Sequence, residues 1–482
     1  MKFFKIPLFL LVFFTITSCS EKEPTPENIE VQDFVWKGLN AYYLWQDQIP
    51  DLSDRRFSSD QQLYDYLNGF NDNQNLFKSL LIANDDRSTL IDDYTTIENP
   101  KRNAITSGLE FGIIAEPGST ENVLGYVTHI LPNSDAATKN ITRGEFFHAV
   151  DNVQLTRTNF QSLLVTNQNA YTLEMANFNG TIVTPNTKRV ALVKAQYDFP
   201  AVFHEKVISN RTNNIGYLVY NNDFSTNYIS DLNTTFLNFK NQSVNELIID
   251  FRYNIGGGSF AENITKIASM ITGQFKDEVF IKKQWNTKAQ SWFEINQPDS
   301  LNTKFTEKLN KNTAINSLNL TDVYIILNGN EFTGSPATEL LINSLKPHIN
   351  VHVIGRQTEG NNTGTILLYN SEDYDFDNRN VTHTFALKPI VLKFLNKDKV
   401  TYENGFTPNM ELCPNEDVLN LGVLGENTDP ILDRVLNYIS SGAVGATPRC
   451  NANNFEYLYN SITPQRNLNQ NVTITQNLPN TN

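Results

Sequence analysis

Residues 248–260 read IIDFRYNIGGGSF. An apolar, β-branched run gives way to a charged DFR step and then to Asn254-Ile255-Gly256-Gly257-Gly258, and an apolar helix pattern, FAENITKIASMI, follows. A buried strand, a glycine turn and a helix in that order predict one unit of an α/β layout. A tight turn needs glycine for its own sake. The same turn can also aim backbone N–H groups of Gly256 and Gly257 into a cleft, as an oxyanion hole or an anion site requires. The spacing is neither GxGxxG nor a P-loop, so nucleotide binding has little support.

Working outward, the alternation repeats from about residue 200: NNIGYLVY, YISDLNTTFLNFK, VNELIID, DVYIILNG, ATELLINSL and VHVIGRQT are strand, helix, strand, strand, helix and strand. An α/β core over 200–442 is expected. Residues 105–196 differ in kind. GLEFGIIAE and VLGYVTHIL alternate as strands, GEFFHAVDNVQL turns at Asp151-Asn152, and two further strands flank Asn179-Gly180. Residues 31–104 are helical in pattern, with Phe34, Leu39, Tyr42 and Tyr43 at helical spacing and Trp36 and Trp45 adding apolar area. After Cys450 the chain is rich in Asn, Gln and Thr, and residues 451–482 are expected to form a loosely ordered, low-complexity tail. The whole predicts an α+β multidomain chain.

Residues 328–364, NGNEFTGSPATELLINSLKPHINVHVIGRQTEGNNTG, have the layout of a catalytic segment. Ser335 precedes an apolar helix predicted to begin at Pro336 or Ala337. By residue type it suits a helix N-cap, with proline in the first turn and Glu339 close behind. It also suits a nucleophile at the mouth of a cleft.

The order of these motifs resembles the tail-specific, C-terminal processing serine peptidases, family S41, over residues 31–440. VWKGLNAYYLW, LIIDFRYNIGGGSF, GSPATELLINSLKP, VIGRQTEGNNTG and ENGFTPN carry the likeness. The resemblance implies a ClpP/crotonase-like peptidase core and a serine–lysine dyad, with backbone N–H groups of the glycine turn holding the oxyanion. It further implies that 105–196 is similar to a PDZ domain. There Gly108, Leu109, Glu110, Phe111 and Gly112 stand at the carboxylate-binding loop, residues 131–137 match its pgSpA stretch, and Arg143-Gly144-Glu145 match its GD step. A terminal carboxylate would sit on the loop while the peptide adds as a strand.

Carried over by position, the dyad is interrupted twice. The family's nucleophile lies three residues before the glutamate, which here is Pro336, while Ser335 lies four before Glu339. The family's base lysine becomes Asn361, in Thr358-Glu359-Gly360-Asn361, and a carboxamide has no usable basicity near neutral pH. Glu359 and Lys346 are the nearby substitutes to weigh. Two readings follow: a peptidase acting on polypeptide C-termini with Ser335 as nucleophile, and an inactive relative that binds peptides or protein partners through the PDZ-like groove.

The N-terminus supplies an address. Lys2 and Lys5 precede an apolar run from Ile6 to Ile16, too short to span a bilayer and typical of a signal peptide. Ile16-Thr17-Ser18-Cys19 resembles a bacterial lipobox, which implies a signal over 1–18, lipidation of Cys19, a polar linker over 19–30 and a lipid-anchored place in the cell envelope, at the outer membrane or periplasmic side. Export permits disulfides, and Cys413 and Cys450 are left either to pair or to stay as buried thiols. The net charge of -14, without any basic run, disfavours nucleic acid and anionic lipid surfaces as partners. His348 and His352 stand four apart across a helix end and a strand start, and neither a metal site nor a cofactor is expected.

Overall fold

The computed structural model describes residues 25–96, 103–165, 168–200, 202–210, 213–222, 224–254, 259–327, 334–445, 450, 455–462, 471–475 and 477–478. The signal segment with Cys19, and the turn with Gly256 and Gly257, lie outside these residues.

Strands of the 200–442 region form a six-stranded sheet in the order His204–Asn210, Asn213–Val219, Glu246–Asp250, Asp322–Leu327, Asn350–Gly355, Met410–Glu411. Only the first pair is antiparallel. Parallel strands need both faces covered, and Leu247, Ile248, Ile249, Val323, Ile325 and Ile326 are accordingly buried. Helices Thr226–Asn241, Ala261–Ile271 and Pro336–Leu345 contribute to one core with this sheet, and Pro430–Ser441 packs in a second cluster. A five-stranded sheet, Asn302–Lys304, Val279–Trp285, Ile390–Leu395, Thr363–Thr365 and Val472–Thr473, stands beside it.

The N-terminal helices Glu30–Tyr42, Asp60–Leu67 and Asn73–Ser79 have no core of their own. Phe34, Leu39, Tyr42, Tyr43 and Leu67 join the same apolar cluster as Phe236, Ile264 and Leu341. Gly38 lets the first helix approach closely, since a Cβ there would stand 2.8 Å from Leu387 Cδ2. The strand Thr89–Ile91 then pairs with Ala386–Lys388, which fixes the helical segment to the far end of the chain.

Most of residues 105–196 lies in a seven-stranded antiparallel sheet built on Leu109–Ala115, Val123–Ile130, Phe146–Val150, Ala170–Phe178 and Val183–Val193, while Asn103–Thr106 and Ala195–Asp198 pair separately at its ends. The turn at Asp151-Asn152 has positive φ at both residues, 49° and 64°, as a tight hairpin demands.

The described part of the segment after Cys450 departs from expectation. It was expected to be loosely ordered, yet Tyr457–Asn460 adds to the seven-stranded sheet and Val472–Thr473 to the five-stranded one. Ile462, Val472 and Ile474 are at most 2% exposed. The physical reason is that apolar side chains are sparse in this segment but fall at the docking points, where each buried one contributes roughly 1.5–3 kcal/mol. Cys413 and Cys450 are bonded to each other, with Cα atoms 5.4 Å apart, so the segment leaves from a fixed point. Among the described residues no helix is long and apolar enough to cross a membrane.

Candidate active site

The strand Asp322–Leu327 ends beside Gly334, where a Cβ would stand 3.4 Å from Leu327 Cδ1, and the Pro336–Leu345 helix begins immediately after Ser335. Ser335 has extended backbone (φ -96°, ψ 161°), and its Oγ accepts the N–H of Thr338 at 3.3 Å. The Ser335 N–H in turn donates to Thr338 Oγ1 at 2.8 Å, completing a reciprocal cap. The candidate nucleophile is thus a buried N-cap. Pro336 occupies the first helical position, three residues before Glu339 along an unbroken helix. Ser335 thus lies four residues before Glu339 at the helix start, one residue earlier than the family's count.

Glu339 organises the opposite wall. Its carboxylate accepts the N–H groups of Gly360 (2.6 Å) and Asn361 (2.8 Å). Burial raises its pKa above the ordinary value, against hydrogen bonds from Thr358, Gly360 and Asn361 that pull it down. The ENGFTPN motif braces the same loop from behind. Thr358 N–H donates to Phe406 O, and Phe406 N–H donates to Thr358 Oγ1 at 2.8 Å. Both glycines at this crossing need their positive φ and their bareness. A Cβ on Gly360 would meet Glu403 O at 2.3 Å, and one on Gly405 would meet Thr358 O at 2.0 Å.

Glu339 and the braced loop bring residue 361 close to the helix start, but that residue is asparagine. Asn361 is 5% exposed and its Oδ1 accepts from Thr363 Oγ1 at 3.1 Å. A carboxamide oxygen accepts hydrogen bonds without taking up a proton at neutral pH. Among the described residues neither weighed substitute is hydrogen-bonded to the serine, whose side chain bonds Thr338. Glu359 is exposed while Ser335 is buried. Lys346 caps the other end of the helix, eleven residues on, about 16 Å along the axis, with its ammonium 4.9 Å over the Phe406 ring.

The two histidines diverge. His348 Nε2 lies 3.2 Å from Val279 O, whereas His352 stacks on Tyr324 and lies within 3.2 Å of Asp322. Among the described residues no group of three or more His, Cys, Asp or Glu is placed to hold a metal ion.

Of the five residues expected in a carboxylate-binding loop, only Gly108 precedes the strand; Leu109, Glu110, Phe111 and Gly112 belong to Leu109–Ala115. Gly108 (φ 84°) is required because a Cβ would stand 2.0 Å from Ser134 Oγ. The expected open groove beside 108–112 is filled: Tyr457–Asn460 pairs antiparallel with this strand, Asn460 opposite Gly112. The strand's outer hydrogen-bonding edge is satisfied from within the chain.

The DFR step has a role the sequence reading missed. Arg252 is fully buried and bonded to Asp250 (2.6 Å), Asp429 (2.5 Å) and Glu416 (3.0 Å). Arg143, from the 105–196 sheet, reaches Glu416 at 2.7 Å and also donates to Tyr253 Oη and Thr128 O. Burial alone would raise the Asp429 carboxyl, but Arg252 overrides it and holds its pKa below the ordinary value. This network joins the loop at Arg143, between strands of the seven-stranded sheet, to the α/β core.

With this geometry in view, the similarities place the molecule. A crystal structure of a Bacteroides fragilis protein assigned to the S41 proteases superposes with a TM-score of 0.64 at 20% identity, covering 85% of this chain and 97% of that one. The photosystem II D1 C-terminal processing protease (TM-score 0.44, 15% identity, 84% and 100% covered) and mature CPAF (0.37, 12%, 87% and 99%) are more distant. The fold is that of an S41 peptidase. The sequence matches the Peptidase S41 N-terminal domain over residues 30–95 and Peptidase family S41 over 214–412, together more than half of the chain, and the chain belongs to the S41 family. No curated protein matches it.

Proposed function

We propose that the protein binds polypeptide segments on an S41 peptidase scaffold and does not cleave them through a serine–lysine dyad. The observation that carries this reading is the combination of Ser335, engaged as a helix cap, with Asn361 at the place of the family's base, its backbone N–H held by Glu339 and its carboxamide oxygen accepting from Thr363. Loss of the base from a nucleophile–base pair lowers turnover by several powers of ten. The scaffold around the gap is retained: the braced loop, the glycine crossing and the buried junction all persist. Polypeptides are the ligand class that family membership supports. The 105–196 sheet is read as a PDZ-like unit whose Leu109–Ala115 edge takes an added strand. Residues 1–18 are read as a signal and Cys19 as a lipid anchor, placing the protein at the cell envelope.

The alternative is the family's own chemistry, cleavage near polypeptide C-termini with Ser335 as nucleophile. It requires a base that the described residues do not bring to Ser335. Covalent labelling separates the two. A fluorophosphonate probe followed by mass spectrometry is expected to leave Ser335 unmodified in the native protein. Stoichiometric modification of Ser335 would mean an activated hydroxyl and would overturn the proposal.

A further inference from the structure

An unpaired strand edge is a template for another strand, and here the chain supplies its own. Tyr457 lies opposite Ile114 and Asn460 opposite Gly112, and Glu456 O accepts the Ala115 N–H at 2.9 Å. Ser461 extends the pairing. Its N–H donates to Phe111 O at 2.9 Å, and its Oγ accepts the Phe111 N–H at 3.0 Å and donates to the Glu110 carboxylate. Ile462 then turns inward, 2% exposed, beside a cavity lined by Glu110, His129, Leu131 and Tyr253. The Tyr459 ring sits 5.9 Å from Phe111 and 5.7 Å from Phe160.

These contacts have the two parts of strand-addition recognition: backbone bonds for affinity, and side-chain sites that select sequence. We propose that residues 457–462 are a built-in ligand of the Leu109–Ala115 groove, and that an external partner is an extended peptide carrying a Ser/Thr hydroxyl followed by an aliphatic residue. That partner binds by displacing the chain's own segment. The inference deepens the peptide-binding reading above and rests on it.

The hydroxyl is specified because Glu110, 5% exposed, accepts from Ser461. The aliphatic residue is specified by the Ile462 site. The leash is short: Cys450 is bonded to Cys413, and the docked segment begins five residues later at Phe455. A short tether gives a local concentration in the millimolar range. An external peptide therefore meets a groove that is free only a small fraction of the time, and its apparent affinity falls by that fraction.

The test uses the whole chain and a fluorescent peptide of its own residues 455–462, FEYLYNSI, read by anisotropy. Ile462→Asp removes the buried anchor of the internal segment, and Ser461→Ala is the milder variant should the first fold poorly. The variants are expected to bind the peptide at least about tenfold tighter than wild type, and a peptide with Ala for Ser to bind more weakly than FEYLYNSI. Hydrogen exchange at Phe111 and Ala115 is expected to speed up in Ile462→Asp. Equal affinity in wild type and variants would overturn self-occupation while leaving the peptide-binding reading. No binding by a variant whose Phe111 and Ala115 amides have become exposed would overturn both.

Discussion

The carboxylate of Glu339 holds the backbone N–H groups of Gly360 and Asn361 at 2.6 and 2.8 Å, so one side chain ties the helix that starts at Ser335 to the loop that carries position 361. This tie holds the loop at position 361 to the start of the helix that Ser335 caps. Glu339→Gln substitutes an NH2 group for one acceptor oxygen and leaves one N–H without its partner. A lost buried acceptor costs about 1–3 kcal/mol. The expected result is a lower denaturant midpoint and faster hydrogen exchange confined to residues 358–362.

The Arg252 cluster predicts a larger effect. Arg252→Met would leave Asp250, Asp429 and Glu416 buried without their shared cation, and breaking a buried ionic group from one side costs about 3–5 kcal/mol. Urea unfolding checks the magnitude. Neutralising Asp250 and Asp429 together in the Arg252→Met background is expected to recover part of the loss, because the uncompensated charges go with them.

The same cluster gives a pH dependence of definite sign. Arg252 outweighs burial and holds the Asp429 pKa below 3.8, its ordinary value. A depressed folded pKa stabilises the fold above 3.8; the contribution declines as pH falls below that and is lost once pH passes the folded value. The urea midpoint is expected to drop on acidification through this window, and Asp429→Asn, less stable at neutral pH, to show a shallower drop. A steeper drop in the variant would contradict the assignment.

The disulfide closes a separation of 37 residues, for which chain entropy predicts about 2–4 kcal/mol. Removing both Cys413 and Cys450 by serine substitution is expected to raise proteolysis between 455 and 475 before any cut appears in the six-stranded sheet. Simultaneous loss of both regions would show that the segment is inseparable from the core.

Much of this was legible in the sequence where local chemistry decides the outcome. The apolar runs at 247–250 and 322–327 are strands because buried parallel strands are apolar on both faces, and Ser335-Pro336 is a helix start by its capping chemistry. The helical pattern at 31–42 was equally clear. What stayed hidden depends on partners distant in the chain. Glu339 reads as an ordinary first-turn acid until Gly360 and Asn361 arrive, and the DFR step gives no sign that Glu416 and Asp429 surround Arg252. The tail misled for another reason. Its average composition is that of a disordered chain, but Tyr459, Ile462, Val472 and Ile474 fall where two sheets have open edges.

The most direct test of the central claim is peptide cleavage by wild type, Ser335→Ala and Asn361→Lys, compared on unstructured polypeptides with apolar C-termini. No turnover by wild type is predicted, and any activity gained by Asn361→Lys would place the loss at the missing lysine. Cleavage by wild type that disappears in Ser335→Ala would contradict the account.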